Sequence, residues 1–291
     1  MADLKYIIED RPSSPQMDVN RPVEAGPKAP LSLTPFQGVG RGCGGGRGNC
    51  VPPALPSTNL ILLGTVHGDP KGYERAWKLL DHFRPEIVTV EISPFSVRYR
   101  RRAEKGWQRL LEQALAELPS GAREHLALRR LAAQVALPFE VRVARDWSCG
   151  QGVPWRPVDL GAPARRHLPR YSQELLSAAN LGALAACHPG SLEEFVEVEF
   201  RRATAALRWP AWRLSPQGSP ETIRRERFLA RRLRHLAAPG QRLVHLGGWE
   251  HLVPWRDGSG LGNLLADLQP LRLLLKEAEV LPNEQKINRL G

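Results

Sequence analysis

Two histidines and one glutamate stand where strands are expected to end. His67 closes Gly64-Thr65-Val66-His67 after the apolar run Leu60–Leu63, and His251 closes Gly248-Trp249-Glu250-His251 after RLVHLG (Arg242–Gly247). Glu91 ends the run EIVTVE, Glu86–Glu91. Two imidazoles and a carboxylate form a normal nitrogen/oxygen ligand set for a divalent cation such as Zn, Mn or Co. Open positions on such an ion give a water of lowered pKa or polarise a substrate carbonyl. Each residue also has a plainer reading. A histidine after a strand is commonly a hydrogen-bonding turn residue, and Glu91 could pair with Arg98 or Arg100.

The flanking segments predict how these side chains are positioned. Asn59–Gly64 is a continuous apolar run of the kind found in fully buried strands. Asp69-Pro70 opens a helix whose apolar residues, among them Ala76, Leu79, Leu80 and Phe83, recur at helical spacing until Pro85 stops it. The strand Glu86–Glu91 follows, so residues 60–93 read as a βαβ unit with parallel strands and a right-handed crossover. Glycine at the head of each Gly-x-x-His turn is expected to supply a sharp bend. Ligands in open α/β sheets gather beyond the carboxyl ends of the strands, which predicts that His67, Glu91 and His251 face one crevice.

Between Glu91 and Arg242 the chain reads as a helical insertion, about residues 94–240. Helices are expected from Ser93-Pro94 to about Leu118, over Ala122–Leu137, from near Ser172, from Ser191 with Glu194 completing a capping box, and from Ser219-Pro220 to Pro239. Val153–Leu160 is a short strand candidate ending at Asp159. Leu261–Leu268 reads as a helix and Leu271–Leu275 as a last strand. The fold class is α/β, with a mixed, mainly parallel central sheet flanked by helices over residues 58–291. Residues 1–57 read as a disordered leader, rich in Pro and Gly and without periodicity.

The chain has 291 residues and a formal charge of +11. Residues 1–58 hold six basic and five acidic groups, so nearly all the excess lies in the folded part. The arginines are scattered over several helices and interleaved with glutamate, without the aromatic residues that stack on bases, which argues against nucleic acid as a partner. No apolar run is long enough to span a bilayer, so no membrane insertion is expected. The N-terminus has no signal pattern, which predicts a cytoplasmic protein. Cys43, Cys50, Cys149 and Cys187 form neither a disulfide framework nor a zinc spacing. The Gly40-x-Gly42-x-x-Gly45 match lacks the strand and helix that a dinucleotide site needs. No H-E-x-x-H, G-x-S-x-G or phosphate-loop motif occurs. His245 points out of an apolar strand and reads as a core histidine. Oligomeric state is left open, a homodimer included.

LLGTVHGDP with His67, RPEIVTVEIS with Glu91 and LVHLGGWEHL with His251 resemble the TraB/PrgY/GumN family, which includes the Tiki-like metalloproteases and is distantly similar to ChaN and erythromycin esterase proteins. RRERFLARRL (Arg224–Leu233) looks like the family's Glu-Arg-containing helix. PVDLGAPARR, with Asp159, Arg165 and Arg166, looks like its Asp-then-Arg segment. The resemblance implies an α/β domain and, in the Tiki branch, metal-dependent hydrolysis of amide or peptide bonds. It carries His67, Glu91 and His251 over as metal-site or catalytic positions, with Asp159, Arg227 and Glu250 as further catalytic candidates. Leu160 departs from the family pattern, where Arg often follows the Asp. The alternatives are a non-catalytic protein binding a peptide or a haem-like ligand in the same crevice, and nucleic-acid binding through the arginine-rich helices.

Overall fold

The computed structural model describes residues 59–186, 190–208, 219–237 and 240–280. The leader predicted for residues 1–57, with Cys43 and Cys50, lies outside the described residues, as do Cys187 and His188. The chain runs β1 (Leu60–Thr65), α1 (Gly72–Phe83), β2 (Ile87–Val90), α2 (Pro94–Ala116), α3 (Leu126–Val135), α4 (Phe139–Gln151) and β3 (Trp155–Pro157). Three short helices follow, α5 (Gly161–His167), α6 (Tyr171–Leu175) and α7 (Ala178–Ala185), then α8 (Leu192–Arg208) and α9 (Pro220–Leu236). After β4 (Leu243–Gly248) comes a 3-10 turn, Trp249–Leu252, then α10 (Leu261–Leu264) and β5 (Leu271–Leu274).

The sheet has the order β3-β2-β4-β1-β5, and every pairing in it is parallel. β1 and β2 are buried throughout, as expected of parallel strands covered on both faces. The predicted β1-α1-β2 unit is present, but its two strands are not neighbours. β4 lies between them, pairing Leu60 with Leu243 on one side and Ile87 with Leu243 on the other. The shared register brings the carboxyl ends of β2, β4 and β1 to one edge.

Local chemistry explains where the helices begin. Ser93 accepts from the Ser96 N–H at 3.0 Å and Ser219 from the Thr222 N–H at 3.2 Å, each followed by a first-turn proline. The predicted capping box forms, with Ser191 and Glu194 bonding each other's backbone N–H at 3.1 and 3.3 Å. The single helix expected over Ala122–Leu137 is instead a 3-10 turn, Ala122–Glu124, and then α3. Between them His125 is extended, and its Nδ1 accepts from the Ala127 N–H at 3.3 Å as an N-cap. The helix expected from near Ser172 is broken into α6 and α7, because Ser177 is extended and caps the second piece.

α4 and α9 share a pattern that positions the site. In α9 the buried residues are Glu226, Leu229, Ala230 and Leu233, and in α4 they include Glu140, Val143, Ala144 and Trp147. Both sets fall at i, i+3, i+4 and i+7, the core-facing stripe of a helix. Each stripe is headed by a glutamate.

Candidate functional site at the strand ends

Glu91 is the first residue past β2, and its N–H still donates to the Leu246 carbonyl of β4 at 2.9 Å. Its carboxylate therefore projects over the end of the sheet, only 6 % exposed. His251, in the turn after β4, places Nε2 at 2.7 Å from Glu91 Oε1. The same oxygen accepts from Arg225 Nη2 at 2.5 Å, and Oε2 accepts from the Gly248 N–H at 2.7 Å. Arg225 also grips Asp159, past the end of β3, with Nε at 2.9 Å and Nη2 at 2.7 Å. One guanidinium thus joins the ends of two strands.

The other nitrogen of His251 faces a second acid. Nδ1 lies 2.7 Å from Oε1 of the fully buried Glu226, a charge contact rather than a well-aligned hydrogen bond. Glu226 Oε2 accepts from the Leu261 N–H at 2.8 Å, which ties α9 to the start of α10. Burial by itself would strip the imidazole of its proton, but the carboxylates of Glu91 and Glu226 outweigh it and hold the pKa of His251 well above the ordinary histidine value. Burial likewise pushes Glu91 upward. His251 and Arg225, with a smaller contribution from His67, reverse this and hold Glu91 well below the usual carboxylate range. His251 is therefore an imidazolium at neutral pH, clamped between two acids.

His67 reaches the same region from β1. Its Nδ1 lies 2.9 Å from Oε1 of the buried Glu140, which also accepts from Thr65 Oγ1 at 2.9 Å. His67, Glu140 and Glu91 line one cavity of about 30 Å³ between the strand ends and α4. The His67 side chain is 63 % exposed and forms the outer wall. Beneath the cluster His245 is buried, as predicted, with Nδ1 at 3.0 Å from Thr89 Oγ1 and Nε2 without a hydrogen-bond partner. Burial lowers its pKa to about 4, so it is neutral.

The structure thus brings together four of the side chains picked out from the sequence. Glu91 and His251 touch, Asp159 joins them through Arg225, and His67 shares a cavity with Glu91. Glu250 precedes His251 in the turn and is half-buried. Arg227 lines a groove on the outer side of α9, and the arginine of that helix that reaches Glu91 is Arg225. Arg100 donates to the Gln134 carbonyl, so the partner of Glu91 is Arg225 rather than a residue of α2. Arg165 lies over the Phe95 ring and Arg166 pairs with Glu221.

The glycines act differently from expectation. Gly64 lies within β1 and Gly248 has φ of −55°, so neither needs a left-handed backbone. Gly64 is needed for space, since a Cβ there would sit 3.0 Å from Leu252 and Leu274. The bend at His67 is made by Gly68, at φ 79°.

The donor types at the cluster fit a divalent cation, and an imidazole oriented by a carboxylate on its far nitrogen is the usual support of a metal-binding histidine. The same donors are engaged with one another here, and among the described residues no group of three or more is arranged to hold an ion.

No family model, curated protein or solved structure matches the chain. Among the described residues no helix is long and apolar enough to cross a membrane.

One glycine offers a direct check on how the His251 turn is held. A Cβ on Gly262 would lie 2.8 Å from the carbonyl oxygen of Leu252 and 3.4 Å from that of His251, both backbone atoms that cannot swing aside. Gly262→Ala should cost about 1–3 kcal/mol of stability in urea unfolding, the scale of overpacking, despite the better helix propensity of alanine. An unchanged midpoint would mean that the turn does not pack on α10 as described.

Proposed function

We propose that the chain is a hydrolase of amide or peptide bonds that depends on a divalent cation, Zn, Mn or Co, for which His67, Glu91 and His251 would be the ligands once the contacts they now make with Glu140, Arg225 and one another open. The observation that supports this best is the 2.7 Å contact between His251 and Glu91, with Glu226 on the far side of the imidazole. Residues 160 positions apart are brought together at the end of the sheet, where α/β enzymes place their ligands. The resemblance to the TraB/PrgY/GumN motifs supports the same residues. When bound, the ion would supply Lewis acidity toward a carbonyl oxygen and lower the pKa of a water.

The chain's own groups have distinct parts in this reading. Glu226 fixes the imidazole of His251 through Nδ1. Arg225 and the Gly248 N–H hold Glu91, and Asp159 holds Arg225. His67 stands at the exposed mouth, where a substrate carbonyl would approach. A cavity of about 30 Å³ is far below the roughly 300–1,000 Å³ of pockets that enclose cofactor-sized ligands, which speaks against a haem-like occupant.

Elemental analysis and equilibrium dialysis test the proposal. The chelated and reloaded wild type should take up about one ion per chain, with proton release, because His251 must first give up its proton. His67→Ala/His251→Ala should abolish the uptake, and cleavage of a fluorogenic peptide library should follow ion content. Equal ion content in wild type and double variant, or no stoichiometric uptake by either, would defeat it.

A further inference from the structure

A second feature of α9 lies outside the strand-end cluster. Its outer side forms a groove of about 820 Å³, lined by Ile223, Arg224, Arg227, Ala230 and Arg231 together with Leu264 of α10. Arg224, Arg227 and Arg231 fall at i, i+3 and i+7, on one face of the helix, and span about 10 Å along it. All three are exposed, and among the described residues no carboxylate pairs with them. The next arginine on the stripe, Arg234, is held by Asp267 at 2.6 and 2.7 Å and closes that end of the groove. The floor is aliphatic, made by Ile223, Ala230 and Leu264.

We propose that this groove binds an acidic polypeptide segment that also carries apolar side chains. Each guanidinium presents a planar fork that matches a carboxylate, and three in a row along a helix face would engage carboxylates spaced along an extended or helical chain. The aliphatic floor adds a place to bury a leucine-sized side chain between those contacts, which a sugar-phosphate backbone does not offer. Among the described residues no aromatic ring lines the groove, so these residues offer no stacking platform of the kind that single-stranded nucleic acids use. The proposal stands apart from the hydrolase reading, because none of the groove arginines touches Glu91 or His251.

Fluorescence anisotropy with the full chain tests it. The probes are a labelled Glu-Glu-Leu repeat peptide, poly-glutamate of equal length and single-stranded DNA. The repeat peptide should bind best. Arg224→Gln/Arg227→Gln/Arg231→Gln should weaken it at least about ten-fold, with a thermal unfolding curve like that of wild type, since the three side chains are exposed. Arg101→Gln/Arg102→Gln/Arg109→Gln removes the same charge from α2 and should change affinity less than about two-fold. Leu264→Gln should weaken the repeat peptide and leave poly-glutamate unaffected. Equal losses in the two triple variants would overturn the proposal, and so would tighter binding of DNA than of peptide at the same salt concentration.

Discussion

Glu91→Gln is expected to lower the stability of the domain by about 3–5 kcal/mol at neutral pH, the cost of breaking a buried ion pair from one side. The substitution keeps the shape and an acceptor for the Gly248 N–H, but it removes the charge that faces both Arg225 and His251. Burial would then count more heavily against the imidazolium, and the pKa of His251 should fall toward or below the ordinary range. Urea unfolding and an NMR titration of the His251 ring measure the two effects. Combined with Arg225→Met the two losses should be less than additive, because both single variants break the same Glu91–Arg225 contact, while Arg225→Met also leaves Asp159 without its partner. A loss under ~1 kcal/mol, the worth of an exposed pair, would show that these groups are not clamped together.

Acidification should expose the buried His245. Its folded pKa of about 4 lies below the ~6.5 of an unfolded histidine, so only the unfolded chain takes up a proton between those values. The stability it contributes is complete above about pH 6.5 and is lost as pH falls toward about 4, amounting to about 3 kcal/mol. The neighbouring groups act outside this window. His251, with a raised pKa, contributes fully below ~6.5 and loses its contribution only as pH rises through the raised value. Glu91, with a lowered pKa, begins to lose its contribution only below the ordinary carboxylate range of ~4.3. His245→Gln should therefore flatten unfolding free energy between pH 6.5 and 4. If the variant keeps the wild-type slope, the acid sensitivity lies elsewhere.

The strands could be read from the sequence because burial on both faces leaves unbroken apolar runs, as in Leu60–Leu63 and Leu243–Leu246. The histidines and Glu91 could be read because they end those runs. Arg225, Glu226 and Glu140 were missed for a physical reason. On an arginine-rich helix, a glutamate looks like one half of a solvent-facing pair. The signal was present in the stripe, since Glu226 and Glu140 each take the first position of an i, i+3, i+4, i+7 set otherwise made mostly of apolar residues. A carboxylate in that position has to be buried, and a buried carboxylate has to be partnered. The partners themselves could not be read, because Arg225 lies 134 residues from Glu91 and only the sheet order brings them together.

That sheet order also bears on how the chain can be made. While the ribosome is still upstream of residue 243, β1 has neither of its neighbours, and β2 has only the three-residue β3. Two of the most apolar segments must wait, edges unpaired, for a strand near the far end of the chain. Such long-range closure slows folding and leaves nascent edges open to association. The domain should therefore behave as nearly all-or-none: β4 is the keystone, and little of the sheet exists before it arrives.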